Sequence, residues 1–320
     1  MFQPSRRALL GALSLPLLPL PVLAAAGPVP KPVPVPVSAG SLWRYDLFPS
    51  ALTEPRRVDV WLPPGYEGGR ESFSVLYMHD GQNLFDPAST PFGEWGVDEA
   101  MARLLVEGAV KPAIVVGVWN TKYRSREYLP QAPYETVPAD IRADYEKGSG
   151  GPALSDGYVD FLVKELKPFI DAIYRTRSGP ADTAIMGSSM GGLISLYALI
   201  RYPAVFGAAG CVSTHWPSVT NFDWIKNGDA RMVTIADTFI AWVKANLPRA
   251  GGNRIYFDLG NAELDSFYPP FQAKVDAFMP GLGYVQGKDW VTTLYEGEPH
   301  NEVAWRKRVV VPLRFLLGGS

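Results

Sequence analysis

One stretch limits what this chain can fold into more than any other: a small-residue turn caught between an apolar strand and a helix. A short apolar run ends at Met186, the pattern G-x-S-x-G occupies Gly187 to Gly191, and a helix-forming apolar run begins at Gly192. This is the strand, sharp turn, helix pattern of a nucleophile elbow. A serine raised clear of a strand end needs strained backbone, so the residues two before and two after it must be small, and Gly187 and Gly191 meet that need. At the start of a helix Ser189 has the free N–H of Met190 beside it, where the helix dipole favours developing negative charge. Ser188 is the better suited of the two serines to a purely structural turn or cap.

Strand-helix alternation surrounds this turn. Strands are expected over 57–62, 73–78, 113–118, 208–213, 254–259 and 290–295, and helices over 98–107, 158–174, 236–247, 270–279 and 302–317. The pattern predicts an α/β fold, a mostly parallel central sheet with helices on both faces and chemistry at the strands' carboxyl ends. Residues 121–157, rich in proline, glycine and charge, read as a long loop over one face of the sheet. Pro168 argues for a kink or break in its helix.

The ends of the chain differ in character. Arg6 and Arg7, an apolar run to Leu23 broken by Pro16, Pro19 and Pro21, and then Ala24 to Ala26 predict a cleaved export signal over 1–26, of twin-arginine type. The uninterrupted apolar length is too short for a span, so no stable membrane anchor is expected after cleavage and the mature protein is expected in the periplasm or outside the cell. Residues 27–40 carry alternating valine and proline and read as an extended linker, leaving 41–320 as one catalytic domain. With 320 residues, 47% hydrophobic and a formal net charge of −2, the chain can bury a deep core and has no electrostatic footprint for nucleic acid. Cys211 is the sole cysteine, so no intrachain disulfide forms.

A serine hydroxyl is a weak nucleophile until a base takes its proton and a carboxylate orients that base. The chain has three histidines. After a G-x-S-x-G elbow the acid comes next in chain order and the histidine last. That excludes His79, leaves His215 as a pocket or packing residue, and selects His300, just past the final strand. The acid is expected in the loop after the preceding strand, from Asp265, with Glu263 as the alternative; Asp258 is still in the strand and suits a structural role. For the oxyanion hole the candidates are the backbone N–H groups of Gln82, in the turn 79–83, and Met190. Three histidines at separate strand ends offer no ligand pair at helical spacing, so no metal is expected. Trp95, Trp119, Trp216 and Trp224 sit at predicted strand ends or loops, and Trp119, Trp216 and His215 are the candidate substrate-binding residues. Core packing accounts for such tryptophans equally well; Arg124 and Arg126 are candidates to hold an anionic substrate, with solvated loop charge the simpler reading.

Three segments, 77–86, 185–193 and 300–305, resemble the esterase D-like and enterochelin-esterase-like family of α/β-hydrolases. The resemblance covers almost everything after the linker. It implies the α/β-hydrolase fold and carboxylic ester hydrolysis through an acyl-serine intermediate, without a cofactor, on a small or carbohydrate-linked ester. Ser189 and His300 match that family's serine and histidine, and 258–265 looks like its acid loop, modestly favouring Asp265. Acyl transfer to a sugar or lipid acceptor is the alternative on the same fold. A non-catalytic ligand-binding protein on a hydrolase scaffold is the alternative of another class, disfavoured because serine, histidine and acid candidates are all present.

Overall fold

The computed structural model describes residues 27–318, so the expected export segment lies outside the described residues. Among the described residues nine strands form one sheet: β1 Val33–Val35, β2 Ser41–Phe48, β3 Arg56–Leu62, β4 Ser74–His79, β5 Ala113–Val118, β6 Thr183–Ser188, β7 Ala208–Val212, β8 Arg254–Gly260 and β9 Trp290–Tyr295. Their order is β1-β2-β3-β5-β4-β6-β7-β8-β9. The pairs β5/β4, β4/β6, β6/β7, β7/β8 and β8/β9 are parallel, while β1, β2 and β3 are antiparallel. This is the α/β-hydrolase fold.

The parallel strands are buried on both faces, which is why they read as continuous apolar runs. In β4, Val75 and Tyr77 join the core under the helices Met190–Arg201, Ala230–Asn246 and Pro269–Phe278. Leu76 and Met78 join the opposite core, under the helices Val97–Val106 and Val310–Leu317. Each fully buried aliphatic side chain contributes about 1.5–3 kcal/mol. Burial on both faces therefore makes the central strands the rigid part on which the loops at their ends are mounted.

Several local expectations are corrected. The valine-proline stretch is not wholly a spacer: Val33, Pro34 and Val35 pair antiparallel with Arg44, Trp43 and Leu42. An edge strand tolerates a residue without an N–H on its outer side. The unforeseen β2 buries Leu42, Tyr45 and Phe48, and its register shifts between Tyr45 and Phe48, so no period-two signal survives. Residues 121–157 are not a loop but short helices, Arg124–Glu127, Gln131–Tyr134, Ala139–Ser149 and the start of Ser155–Phe161. Two of these are single turns, too short for periodicity to register. Pro168 causes no break, because a π-helical turn over Leu162–Leu166 lies just before the continuing segment Lys167–Ile173. The last helix is divided into Glu302–Arg308 and Val310–Leu317, with Pro312 withholding a backbone donor near the junction. Among the described residues no helix is long and apolar enough to cross a membrane.

Candidate active site

Ser189 stands between the end of β6 and the helix Met190–Arg201 with φ 58° and ψ −123°. A non-glycine residue rarely adopts positive φ, and here the flanking glycines hold it there. A Cβ on Gly187 would lie 2.9 Å from the backbone carbonyl of Gly191, so the turn closes only with a glycine at that position. The backbone N–H of Ser189 donates to Val212 (2.9 Å), and its carbonyl accepts from the N–H groups of Gly192 (3.1 Å) and His215 (3.2 Å). Met190 opens the helix, where an N–H has no intrahelical acceptor.

Two neighbouring strand ends bring Asp265 and His300 together. Asp265 is fully buried on a 3-10 turn after β8; its Oδ1 is 2.5 Å from Nδ1 of His300. Its Oδ2 accepts from the hydroxyl of Ser213 (2.7 Å) and the N–H of Gly260 (2.6 Å). Burial pushes the Asp265 carboxyl up, but the hydrogen bonds and charge of His300, with those of Ser213 and Gly260, outweigh it and hold the group below its ordinary range. The His300 ring is fixed edge-on by Tyr268 and Trp305, with centroids 5.6 Å and 5.0 Å away. Glu263 is exposed and is not brought to His300. Asp258 is buried against Arg308, 3.1 Å away, and accepts from the Tyr256 hydroxyl at 2.9 Å.

Ser189 and His300 line a cleft of about 390 Å³ together with Gln82, Asn83, Asn120, Arg124, Glu302 and Phe92. Gln82 lies on the 3-10 turn Gly81–Asn83, packed so tightly that a Cβ on Gly81 would meet the Gly117 backbone at 2.7 Å. Several of these residues have roles that the sequence reasoning missed or ranked second. Arg124 is no solvated loop charge, since its Nε and Nη2 donate to the Asp80 carboxylate at 2.8 and 2.7 Å. Asn120 donates to the same carboxylate at 2.6 Å, and Glu302 accepts from Asn83 at 3.1 Å. Asp80 and Asn83 were visible within the turn 79–83, and Glu302 within the segment after His300; nothing local marked them as cleft residues.

The expected substrate-binding residues lie elsewhere. Trp216 is fully buried, donates to Gln272 at 3.0 Å and packs in the core, not along the cleft. His215 is buried behind Tyr268: its Nε2–H donates to the carbonyl of Val219 (2.9 Å), leaving Nδ1 to accept from the Tyr268 hydroxyl (2.6 Å). Burial drives its pKa down to about 4. Trp119 borders an adjoining shallow cavity of about 370 Å³, and its ring already carries the guanidinium groups of Arg57 and Arg44 at 4.3 and 4.8 Å from the centroid. Its indole N–H is committed to Asp59 at 2.9 Å. His79 is buried, bonded through Nδ1 to Tyr158 at 2.7 Å, and burial lowers its pKa to about 3.

A mostly parallel sheet with a serine on a strained strand-to-helix turn, and a histidine-carboxylate pair at later strand ends, defines an α/β-hydrolase. Residues 50–273 match the Esterase family, described as "Putative esterase", and the chain belongs to it. The uncharacterized protein YbbA of Bacillus subtilis is 25% identical over 182 residues, 55% of this chain and 66% of that protein. The endo-1,4-beta-xylanase/feruloyl esterase of Xylanibacter ruminicola is 25% identical over 178 residues, 54% of this chain and 22% of that protein. The chain thus spans less than two thirds of the length of either relative. A solved ferulic acid esterase superposes with a TM-score of 0.58 at 21% identity, over 86% of this chain and 97% of that one.

Proposed function

We propose that the protein is a serine carboxylic-ester hydrolase that works through an acyl-serine intermediate on a small or carbohydrate-linked ester. The observation that carries this reading is the buried Asp265 bonded to His300, which shares one cleft with the strained Ser189. With Nδ1–H given to Asp265, Nε2 of His300 is the free base. It takes the proton of Ser189 as Oγ bonds to the ester carbonyl carbon, and the N–H groups of Gln82 and Met190 receive the negative charge that moves onto the carbonyl oxygen. The carbon–oxygen bond to the alcohol breaks, and His300 returns the proton to the departing oxygen. Water then repeats the cycle: His300 takes one of its protons, the hydroxide oxygen bonds to the acyl carbon, and the proton passes to Ser189 as the acid leaves.

The polar groups in the cleft lining, Gln82, Asn83, Asn120, Arg124 and Glu302, set among apolar residues such as Phe92 and Trp305, support an alcohol group that carries hydroxyls. A relative that joins a xylanase to a feruloyl esterase supports the carbohydrate-linked class. Export to the periplasm or beyond is part of the same reading, resting on Arg6, Arg7 and the apolar run that follows. The test is an ester panel on the purified mature protein, containing aryl acetates, acetylated sugars, feruloyl esters and siderophore esters, run with and without sugar acceptors. Hydrolysis of at least one class by the wild type and its loss in Ser189→Ala is the expected result. Turnover unchanged in Ser189→Ala would overturn the reading, and acyl-sugar products would replace hydrolysis by acyl transfer.

A further inference from the structure

Behind Asp265 lies a buried polar cluster that the steps above leave unused. Ser213, on the turn after β7, is fully buried and carries a positive φ of 42°. Its Oγ lies 3.0 Å from Nε1 of Trp305, 2.8 Å from Nη2 of Arg308 and 2.7 Å from Oδ2 of Asp265. A hydroxyl has two lone pairs and one proton, and an indole N–H and a guanidinium N–H can only donate. Both lone pairs of Ser213 are therefore taken, and its proton is left for the carboxylate. Arg308 is itself buried and paired with Asp258, so a charged donor polarises the hydroxyl toward Asp265. Ser213 and the N–H of Gly260 occupy Oδ2, which leaves Oδ1 to His300.

We propose that Ser213, its proton steered by Trp305 and Arg308, is a positioning residue that sets the charge Asp265 presents and, through it, the proton affinity of His300. The proposal rests on the serine-hydrolase reading above. A hydrogen bond into Oδ2 draws negative charge away from the oxygen that faces His300, so the imidazolium is stabilised less than by a bare carboxylate. Trp305 acts at both ends, donating to Ser213 and packing its ring edge-on against His300. The other groups around His300 are Tyr268, with the neutral His215 behind it, and across the cleft Glu302 and the Asp80–Arg124 pair. Behind the carboxylate the Arg308–Asp258 pair is neutral as a unit.

The experiment measures kcat and KM for an uncharged aryl acetate across the pH range in wild type, Ser213→Ala, Trp305→Phe and the double variant. In Ser213→Ala, kcat should fall about tenfold to a hundredfold with KM little changed. The acid limb of kcat/KM should move upward by roughly half a pH unit or more. Trp305→Phe should move it the same way by less, and the shift in the double variant should be clearly smaller than the sum of the two. An unmoved limb in Ser213→Ala, or additive effects of the two substitutions, overturns the proposal. If Ser213→Ala does not fold, the limb of Trp305→Phe decides. Turnover unchanged in Ser189→Ala removes the hydrolase reading itself, whereas its loss there with an unmoved limb in Ser213→Ala removes only the role of Ser213.

Discussion

Gly260 and Glu298 touch so closely that a Cβ on the glycine would stand 1.9 Å from the glutamate's carbonyl oxygen. The contact presses the loop that carries His300 onto the end of β8, where the loop of Asp265 begins, and the Gly260 N–H bonds to Asp265 at the same point. Gly260→Ala sets a methyl group against backbone, which no side-chain rotation relieves. Overpacking of this kind costs about 1–3 kcal/mol. A displacement of about 1 Å at the reacting groups lowers kcat/KM by on the order of a hundredfold. Steady-state kinetics and a melting curve of Gly260→Ala check both.

Asp265 and Glu263 separate cleanly by substitution. Asp265→Asn should lower kcat by on the order of 10⁴, because His300 loses the acceptor that holds Nδ1–H. Glu263→Gln, at an exposed position, should stay within about threefold of wild type. Kinetics on the two purified variants with one ester decide between them.

The buried histidines contribute to the loss of stability in acid. His79 and His215 have folded pKa values of about 3 and about 4 against an ordinary 6.5, both through burial. The unfolded chain therefore binds more protons than the folded one as pH drops from 6.5 toward those values. Folding free energy should decline with falling pH by on the order of 1 kcal/mol per unit for each histidine. Well above pH 6.5 both are neutral in either state and contribute no slope. Denaturant midpoints against pH test this, and His215→Asn should flatten the slope relative to its own value at neutral pH.

Much of the fold and part of the cleft were legible in the sequence, for physical reasons. The elbow announces itself because a strained serine demands small neighbours at fixed spacing, and with three histidines in the chain His300 stood alone after the last strand. Asp265 was favoured over Glu263 only modestly, because on a 3-10 turn burial of one carboxylate and exposure of the other is decided by what packs against the turn. Arg124 was out of reach of local reasoning, since its partner Asp80 lies 44 residues away. Trp216 shows the converse: an aromatic at a strand end has the same sequence signature whether it faces a cleft or the core.

Phe92 and Trp119 should behave oppositely when truncated. Phe92 is 67% exposed at the rim of the cleft, so Phe92→Ala should raise KM for an aryl ester severalfold and leave kcat unchanged. Trp119 already has Arg57 and Arg44 over its ring, so Trp119→Ala should leave KM within about twofold while costing about 1 kcal/mol of stability. KM values for the two variants on the same ester make the comparison.

The most direct measurement concerns position 189 itself. Wild type and Ser189→Ala are treated with a fluorophosphonate, and the adduct is located by intact mass and peptide mapping. The expected result is one adduct per chain, on the peptide containing Ser189, absent from the variant and blocked by prior incubation with an ester that is turned over slowly. Labelling of Ser189→Ala at the wild-type rate, or an adduct on any other residue, would contradict the serine-nucleophile account.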